Sequence, residues 1–381
     1  MDDFIIFGKP VINDDEINEV LDSLKSGWLG TGPKAKLFEE NFSKYKGVIN
    51  SIALNSATAG LHLSCSALNL NPGDEVITTA MTFCATVNTI IHAGAKPVLV
   101  DIDPLTWNID PEQIESKINK NTKAIVPVHF AGRPCKMDQI MDIAENYDLY
   151  VIEDCAHAIE TEFKGKKAGT IGDYGVFSFY ATKNLAVGEG GMVIGKDKEK
   201  MSRIKTLALH GMSKDAWNRF SDDGYKHYKV IEAGYKYNMP DITAAIGIHQ
   251  LKKVEKFSIQ REKIWNLYNN EFKDLPIELP ATVEPNTRHA YHLYNICIDK
   301  NKCNVDRDSF LNLMNNNKIG VGVHYESIPT HPFYMKKFGW NPLDFPNSNK
   351  FGSQTASIPL SPYLSDNNLD KIISVVKKIV N

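Results

Sequence analysis

The sequence contains no run of about 18 apolar residues, so it offers no helix able to cross a membrane. Cysteine is scarce: six thiols in 381 residues (Cys65, Cys84, Cys135, Cys155, Cys297 and Cys303), with no CxxC pair. Such usage fits free thiols in a reducing cytoplasm rather than a disulfide framework. The opening Met-Asp-Asp-Phe lacks the basic region of a signal peptide, which agrees with a cytoplasmic location. A surplus of either charge is missing too, since 43 Lys and Arg face 46 Asp and Glu for a formal charge of −3. Without a long basic run, nucleic acid is not an expected partner. No G-x-G-x-x-G follows the first strand pattern and no Walker lysine motif occurs, which sets aside a Rossmann dehydrogenase and a P-loop enzyme. Cys155 with His157, and His129 with Cys135, fit no common zinc spacing, so no metal is expected.

What is present is an ordinary globular composition, 43% hydrophobic and 23% charged, at a length that predicts about two domains. The first two-thirds alternates strand and helix patterns. Strand patterns lie at Glu75–Thr79, Pro97–Asp101, Ala124–His129, Tyr150–Glu153, Val176–Tyr180 and Met192–Ile194. Helical patterns lie between the earlier ones, at Ala57–Leu68, Ala85–His92, Pro111–Ile118 and Lys136–Tyr147. This order predicts an α/β unit with a large, mostly parallel sheet covered on both faces. From Asp241 to about Phe272, apolar residues recur at helical spacing and predict one long helix leading out of that unit. The remainder reads as a smaller α+β unit, with strands at Tyr294–Ile298 and Gly322–Tyr325 and helices at Arg307–Asn316 and Asp366–Val380. The expected domains are 1–250 and 251–381, with the N-terminal segment free to pack on the smaller one.

The chemistry concentrates in GDYGVFSFYATKNLAVGEGGMV, residues 172–193. A lysine in a loop is ordinarily solvated, but Lys183 stands at the mouth of an α/β sheet, just after a buried-type strand. Partial desolvation there can depress its pKa enough to make it a nucleophilic amine. Schiff-base anchoring of pyridoxal phosphate uses such an amine, and the cofactor needs three further things. Its ring nitrogen needs a carboxylate, for which Asp154 stands at the end of the strand YVIE. Its phosphate needs helix-start N–H groups and hydroxyls, which residues 55–60 (NSATAG) and Ser178 offer; Ser56 reads equally as a plain N-cap, and Ser178 as a buried serine bonded to backbone. Its ring needs an apolar face, for which Phe83 follows the strand EVITT. The glycines at 188–191 read as a tight turn that lets backbone pass close to the lysine.

Together these segments resemble the DegT/DnrJ/EryC1/StrS sugar aminotransferases, of the fold type I (aspartate aminotransferase-like) class. The resemblance runs through SGWLGTGPKAKLFEENFSKYKG, NSATAGLHL, TTAMTFCATVNTIIHAGAKPVLVDID, VIEDCAHA, FSFYATKNLAVGEGG, GYKYNMPDITAAIG and GVHYESIPTHPFY. It implies Lys183 as the Schiff-base lysine and Asp154 as the partner of the pyridine nitrogen. It places His157 near the cofactor's phenolic oxygen, Ala57, Thr58 and Ser178 at the phosphate, and Phe83 against the ring. Asn238 resembles an asparagine that reaches the phosphate of the neighbouring subunit, although some relatives carry it where this chain has Lys236. Trp28, Thr31, His324 and Tyr325 match segments bordering the sugar pocket; His129 and Arg133 lie near the site with no assigned role. A homodimer with shared active sites is implied. The implied reaction converts a nucleotide-linked keto sugar, best an NDP-4-keto-6-deoxyhexose, to its amino sugar with glutamate as donor and 2-oxoglutarate as product, for surface polysaccharide or glycoconjugate synthesis. A 3-keto-sugar aminotransferase, a pyridoxamine phosphate-dependent dehydratase and a non-catalytic sensor are the alternatives. Known dehydratase relatives carry histidine in place of the lysine, and a sensor would be expected to lose parts of the constellation.

Overall fold

Strands buried on both faces must send alternate side chains into two different cores, and the central sheet of this protein does so. The computed structural model describes residues 4–213 and 227–381. Seven strands form that sheet: β1 (Ser51–Leu54), β2 (Glu75–Thr79), β3 (Lys96–Val100), β4 (Thr122–Val126), β5 (Tyr150–Asp154), β6 (Tyr174–Ser178) and β7 (Gly191–Gly195). Their order is β1-β7-β6-β5-β4-β2-β3. β7 runs antiparallel to both neighbours and every other pairing is parallel. In β1, Ile52 and Leu54 enter a core with Leu61, Val126, Val176 and Val193, whereas Ala53 enters one with Phe38, Phe42, Phe177 and Met192. The helices Ala57–Ala67 and Lys198–Leu207 cover the first face; Pro33–Lys46 and the start of Asp241–Phe272 cover part of the second. Because β2, β4, β5 and β6 are parallel, the segments after Thr79, Val126, Asp154 and Ser178 all emerge at one edge. Ligands bind at such an edge in open α/β sheets.

The 32-residue helix Asp241–Phe272 serves two cores in turn. Ala244, Ile248, Leu251 and Val254 pack with Phe38 and Phe179. Ile264, Trp265, Tyr268 and Phe272 pack with Tyr294, Phe310, Ile358 and Ile372. Ile5 joins the latter core, where its N–H donates to the Lys318 carbonyl (2.8 Å) and its carbonyl accepts from the Gly320 N–H (2.8 Å). The boundary expected at 250/251 falls within this helix. Among the described residues, no helix is long and apolar enough to cross a membrane.

The expected strands and helices lie on real elements, with ends moved by a few residues; Pro111–Ile118 divides into an α-helical turn at Pro111–Ile114 and a 3-10 turn at Glu115–Lys117. One strand was not expected, and one expected strand needs correction. Ser51–Leu54 is a strand that its four uniformly buried residues did not announce. Gly322–Tyr325 is not a strand: Gly322 bridges Ser357, but the strand paired with Tyr294–Cys297 is Thr355–Ile358. The His324 carbonyl accepts instead from the Asn295 side chain (3.1 Å), and this side-chain bond stands where a strand ladder was expected.

The N-terminus of the Pro33–Lys46 helix is satisfied from far along the chain. The buried Asp241 carboxylate accepts from the backbone N–H groups of Gly32 (2.7 Å), Lys34 (3.0 Å) and Ala35 (2.9 Å). A carboxylate there also opposes the positive end of the helix dipole. Asp241→Ala should destabilise the fold by about 3 kcal/mol in urea denaturation, and Asp241→Asn, which keeps one acceptor, by less.

Candidate active site

At the sheet edge lies a cavity of about 380 Å³, whose wall includes Ala57, Thr58, Phe83, Asp154, His157, Ser178, Lys183, His324 and Tyr325. One side is the start of the Ala57–Ala67 helix. Ser56 is its N-cap and accepts from the Ala59 N–H (3.1 Å), while Ala57 and Thr58 occupy the first turn, where N–H groups have no intrahelical partner. Two glycines bring this helix start onto the sheet. A Cβ on Gly60 would stand 2.7 Å from Val176 Cγ1, and one on Gly191 would stand 2.4 Å from the Ser56 carbonyl carbon. The close approach that Gly191 permits is therefore to the helix start, not to Lys183 as the sequence suggested. Ser178 is paired with Gly191 across β6 and β7, which sets its hydroxyl beside the same helix start. Backbone donors and hydroxyls so grouped can bind a phosphate.

Asp154 closes β5 and is buried. Its Oδ2 accepts from the Thr86 hydroxyl (2.8 Å) and its Oδ1 from the Ala156 N–H (3.1 Å). Burial raises its pKa, and these bonds and the Lys183 charge pull the other way. A buried carboxylate in this state is suited to a cationic ligand atom. Lys183 is held by the loop between β6 and β7, where its N–H donates to the Tyr180 carbonyl (2.8 Å). Burial lowers its amine to about 8, with Asp154 opposing the shift.

His157 lies just past Asp154. Its Nδ1 accepts the Ala131 N–H (3.2 Å), so the ring proton sits on Nε2 and is donated to the Tyr325 hydroxyl oxygen (3.0 Å). Burial and the neighbouring Lys183 keep this ring neutral. The Tyr325 hydroxyl proton is then free to be donated elsewhere. Phe83, half-exposed, stands at the wall with its ring 5.7 Å from that of Tyr325. His324 bonds Ser357 Oγ through Nδ1 (2.9 Å), and burial lowers it to about 3.

Comparison with known proteins gives this constellation a family. Residues 10–377 match the DegT/DnrJ/EryC1/StrS aminotransferase family. The chain belongs to that family. It is 51% identical over 373 residues to the uncharacterized protein MJ1066 of Methanocaldococcus jannaschii, covering 98% of this chain and 97% of that one. It is 46% identical over 378 residues to the spore coat polysaccharide biosynthesis protein SpsC of Bacillus subtilis, covering 99% and 97%. Among solved structures, the putative sugar aminotransferase Spr1654 of Streptococcus pneumoniae in its PMP form is 33% identical, with a TM-score of 0.93 over 99% of both chains. Helicobacter pylori PseC, an aminotransferase involved in the biosynthesis of pseudoaminic acid, is 28% identical with a TM-score of 0.91 over 99% of both. The family is one of pyridoxal phosphate-dependent sugar aminotransferases, and Spr1654 is known with PLP and with PMP. The expected α/β architecture of fold type I, the enzyme class and the cofactor therefore hold for this aminotransferase.

The amine, the buried carboxylate and the phosphate-sized donor group all fit that cofactor. Trp28, Thr31 and Asn238 are not in the cavity. Trp28 and Thr31 line a separate hollow with Lys36 and Glu39, and the Asn238 amide donates to Thr31 Oγ1 while its own Oδ1 is buried without a partner. Arg133 is turned away from the cavity, bonding the Thr282 carbonyl (3.0 Å) and Glu284 (2.7 Å). His129 donates through Nε2 to Glu153 (3.0 Å) and accepts the Cys135 N–H at Nδ1 (3.0 Å). With Cys155 this pair forms a compact cluster of potential metal ligands. Glu153, however, already accepts N–H groups from Gly169, Ile171 and Gly172, and burial pushes the Cys155 thiol up, away from the thiolate a metal needs. Sequence reasoning missed Thr86, in contact with Asp154, and His292, in contact with Lys183; Thr86 lies within the segment TTAMTFCATVN already singled out for Phe83, whereas His292 belongs to none of the motifs.

In cofactor-free protein, acylation of Lys183 by an amine reagent, followed by mass spectrometry, should rise with pH through a midpoint near 8. An exposed lysine would give a midpoint of about 10.4. The sign follows from burial, which penalises the ammonium and so frees the nucleophilic amine at lower pH.

Proposed function

We propose that this aminotransferase moves the amino group of glutamate to the keto carbon of a nucleotide-linked sugar, best an NDP-4-keto-6-deoxyhexose. Its amino sugar would serve a surface polysaccharide or glycoconjugate. The observation that carries the reaction class is the convergence of Lys183, Asp154 and the Ala57–Ala67 helix start on one cavity. The sugar assignment is supported by the relatives, one named for spore coat polysaccharide and one for pseudoaminic acid biosynthesis. Pyridoxal phosphate supplies a carbonyl that takes up amines and a protonated ring that accepts electrons.

In this reading Lys183 anchors the cofactor and, once released, its Nζ holds the proton removed from the donor's α-carbon and returns it, acting as general acid and base. An amine lowered to about 8 can do both near neutral pH. Asp154 faces the ring nitrogen and keeps it protonated. The N–H groups of Ala57 and Thr58 and the hydroxyls of Thr58 and Ser178 hold the phosphate, Phe83 flanks the ring, and His157 stands near the phenolic oxygen. His324 and Tyr325 border the sugar. The protein acts in the cytoplasm as a homodimer whose copies complete each other's sites. Asn238, with Trp28 and Thr31, belongs to the partner's site; its place outside its own cavity supports this, and its amide NH2 is the group that can donate to a phosphate. The two bodies, 1–250 and 251–381, are joined by the long helix.

The test is spectroscopic. Purified protein loaded with pyridoxal phosphate should show the visible band of lysine-bound cofactor, and glutamate should bleach it. A panel of UDP-, dTDP- and GDP-linked keto sugars should then restore it for the true acceptor. Lys183→Ala should lack the band and lose at least about a thousandfold in turnover. A wild-type protein with no band, or a Lys183→Ala enzyme that transaminates normally, overturns the reading.

A further inference from the structure

Glu160, Asn184 and His292 are buried and lie outside the cavity wall, yet together they lead to the Lys183 amine. The Asn184 amide nitrogen donates to both carboxyl oxygens of Glu160 (3.1 and 3.0 Å) and to the Ala290 carbonyl (2.8 Å). These bonds fix which way the amide points and leave Oδ1 facing His292 Nδ1 at 3.0 Å. Oδ1 can only accept, so Nδ1 carries the imidazole proton. Burial and the adjacent Lys183 keep the ring neutral, which makes Nε2 a bare acceptor, 3.5 Å from Lys183 Nζ. Contacts of that length in a ligand-free site shorten when the reacting groups are in place.

The tautomer matters to the chemistry. A neutral lysine amine has two N–H bonds and one lone pair. An imidazole that accepts one of those N–H bonds leaves the lone pair open to receive a proton. The opposite tautomer would donate its Nε2–H to that lone pair and block it. Glu160 serves in either protonation state, because its oxygens accept from Asn184 whether burial holds it protonated or ionised.

We propose that Glu160, Asn184 and His292 form a positioning relay for Lys183, in which Asn184 sets the imidazole tautomer and His292 Nε2 holds one N–H of the amine whenever it is not bound to cofactor. The proposal rests on Lys183 being the cofactor-anchoring amine. The other groups around the pair are Asp154, His157 and His324 beside Lys183, with His157, His324 and Arg261 beside His292. Arg261 and Arg288 face Glu160.

The first test reads the tautomer in the wild-type protein, and a variant serves only to assign the signal. In protein labelled with 15N-histidine, assigned by comparison with His292→Gln, the His292 proton should reside on Nδ1 between about pH 6 and 9. A proton on Nε2 overturns the relay. The second test follows Lys183 acylation in cofactor-free protein. His292→Phe should lower the midpoint by about one pH unit, since it removes an acceptor that favours the ammonium. His292→Gln, which keeps an acceptor of similar reach, should stay near wild type. In holoenzyme, His292→Phe should keep the visible band and the KM for keto sugar but lose about tenfold to a hundredfold in kcat, and His292→Gln should recover most of it. A Phe variant that labels at the wild-type pH, or a Gln variant no better than Phe, overturns the relay. Absence of the band in wild type would instead remove the reading of Lys183 as the anchor.

Discussion

A primary amine buried beside a buried carboxylate is the interaction on which the rest of the cavity depends. Burial disfavours the charged form of each, pushing Lys183 down and Asp154 up, while their mutual attraction opposes both shifts. Lys183, drawn down to about 8, can gain or lose a proton near neutral pH, and Asp154 is raised from the usual carboxylate range by the same burial. The surroundings avoid adding charge. His157, His292 and His324 are all held below their ordinary range, by burial first and by the proximity of Lys183 second. Asp154 is steadied instead by neutral donors, the Thr86 hydroxyl and the Ala156 N–H. Beyond this pair, Glu189 is the one further carboxylate among the residues that line the cavity.

Building this site requires residues from far along the chain to reach one edge. Parallel strands do most of the assembly, because each ends on the same side, returning by a helical crossover except between β5 and β6, where the short strands Glu162–Phe163 and Lys166–Lys167 intervene. The remaining precision comes from missing atoms. Gly60 and Gly191 let the Ala57–Ala67 helix lie closer to the sheet than any side chain would allow, so its unpaired N–H groups arrive beside Ser178. Overpacking either position would push that helix start outward. The far wall is contributed by His324 and Tyr325, whose segment is fixed by Asn295 and Ser357. The site thus draws on both the sheet core and the core built around Tyr294 and Phe310.

Much of this was legible in the sequence because it follows from periodicity and from position after a strand. Lys183, Asp154, Ser178 and Phe83 follow or end strands recognisable by their apolar runs, and the Asp241–Phe272 helix is visible in its repeat of Ile242, Ala245, Ile248 and Leu251. What stayed hidden lacks local patterning. Four residues buried on both sides, as in Ser51–Leu54, show no alternation to mark a strand. The segment Gly322–Tyr325 has strand-like residues but keeps only the single backbone bridge of Gly322 to Ser357, and His324 is held by bonds to the side chains of Asn295 and Ser357. Thr86 reads as one more helix residue, and His292 as one of several aromatics in a buried stretch, because their partners Asp154 and Lys183 are far off in sequence.

Taken alone, the sequence determined the class of chemistry: a lysine, a carboxylate and a helix start placed after strands of one sheet, in segments that resemble a known family. It also marked the long helix, whose apolar repeat supplies residues to a sheet-face core and to the core around Tyr294 and Phe310. Only the tertiary structure decided the states of these groups. How far a lysine amine is drawn from its ordinary range depends on how completely other chain segments exclude water from it. Which nitrogen of His157 or His292 holds a proton depends on the one group that faces the other nitrogen. Both are three-dimensional facts: desolvation and hydrogen-bond direction arise from neighbours in space, and periodicity along the chain carries no record of them.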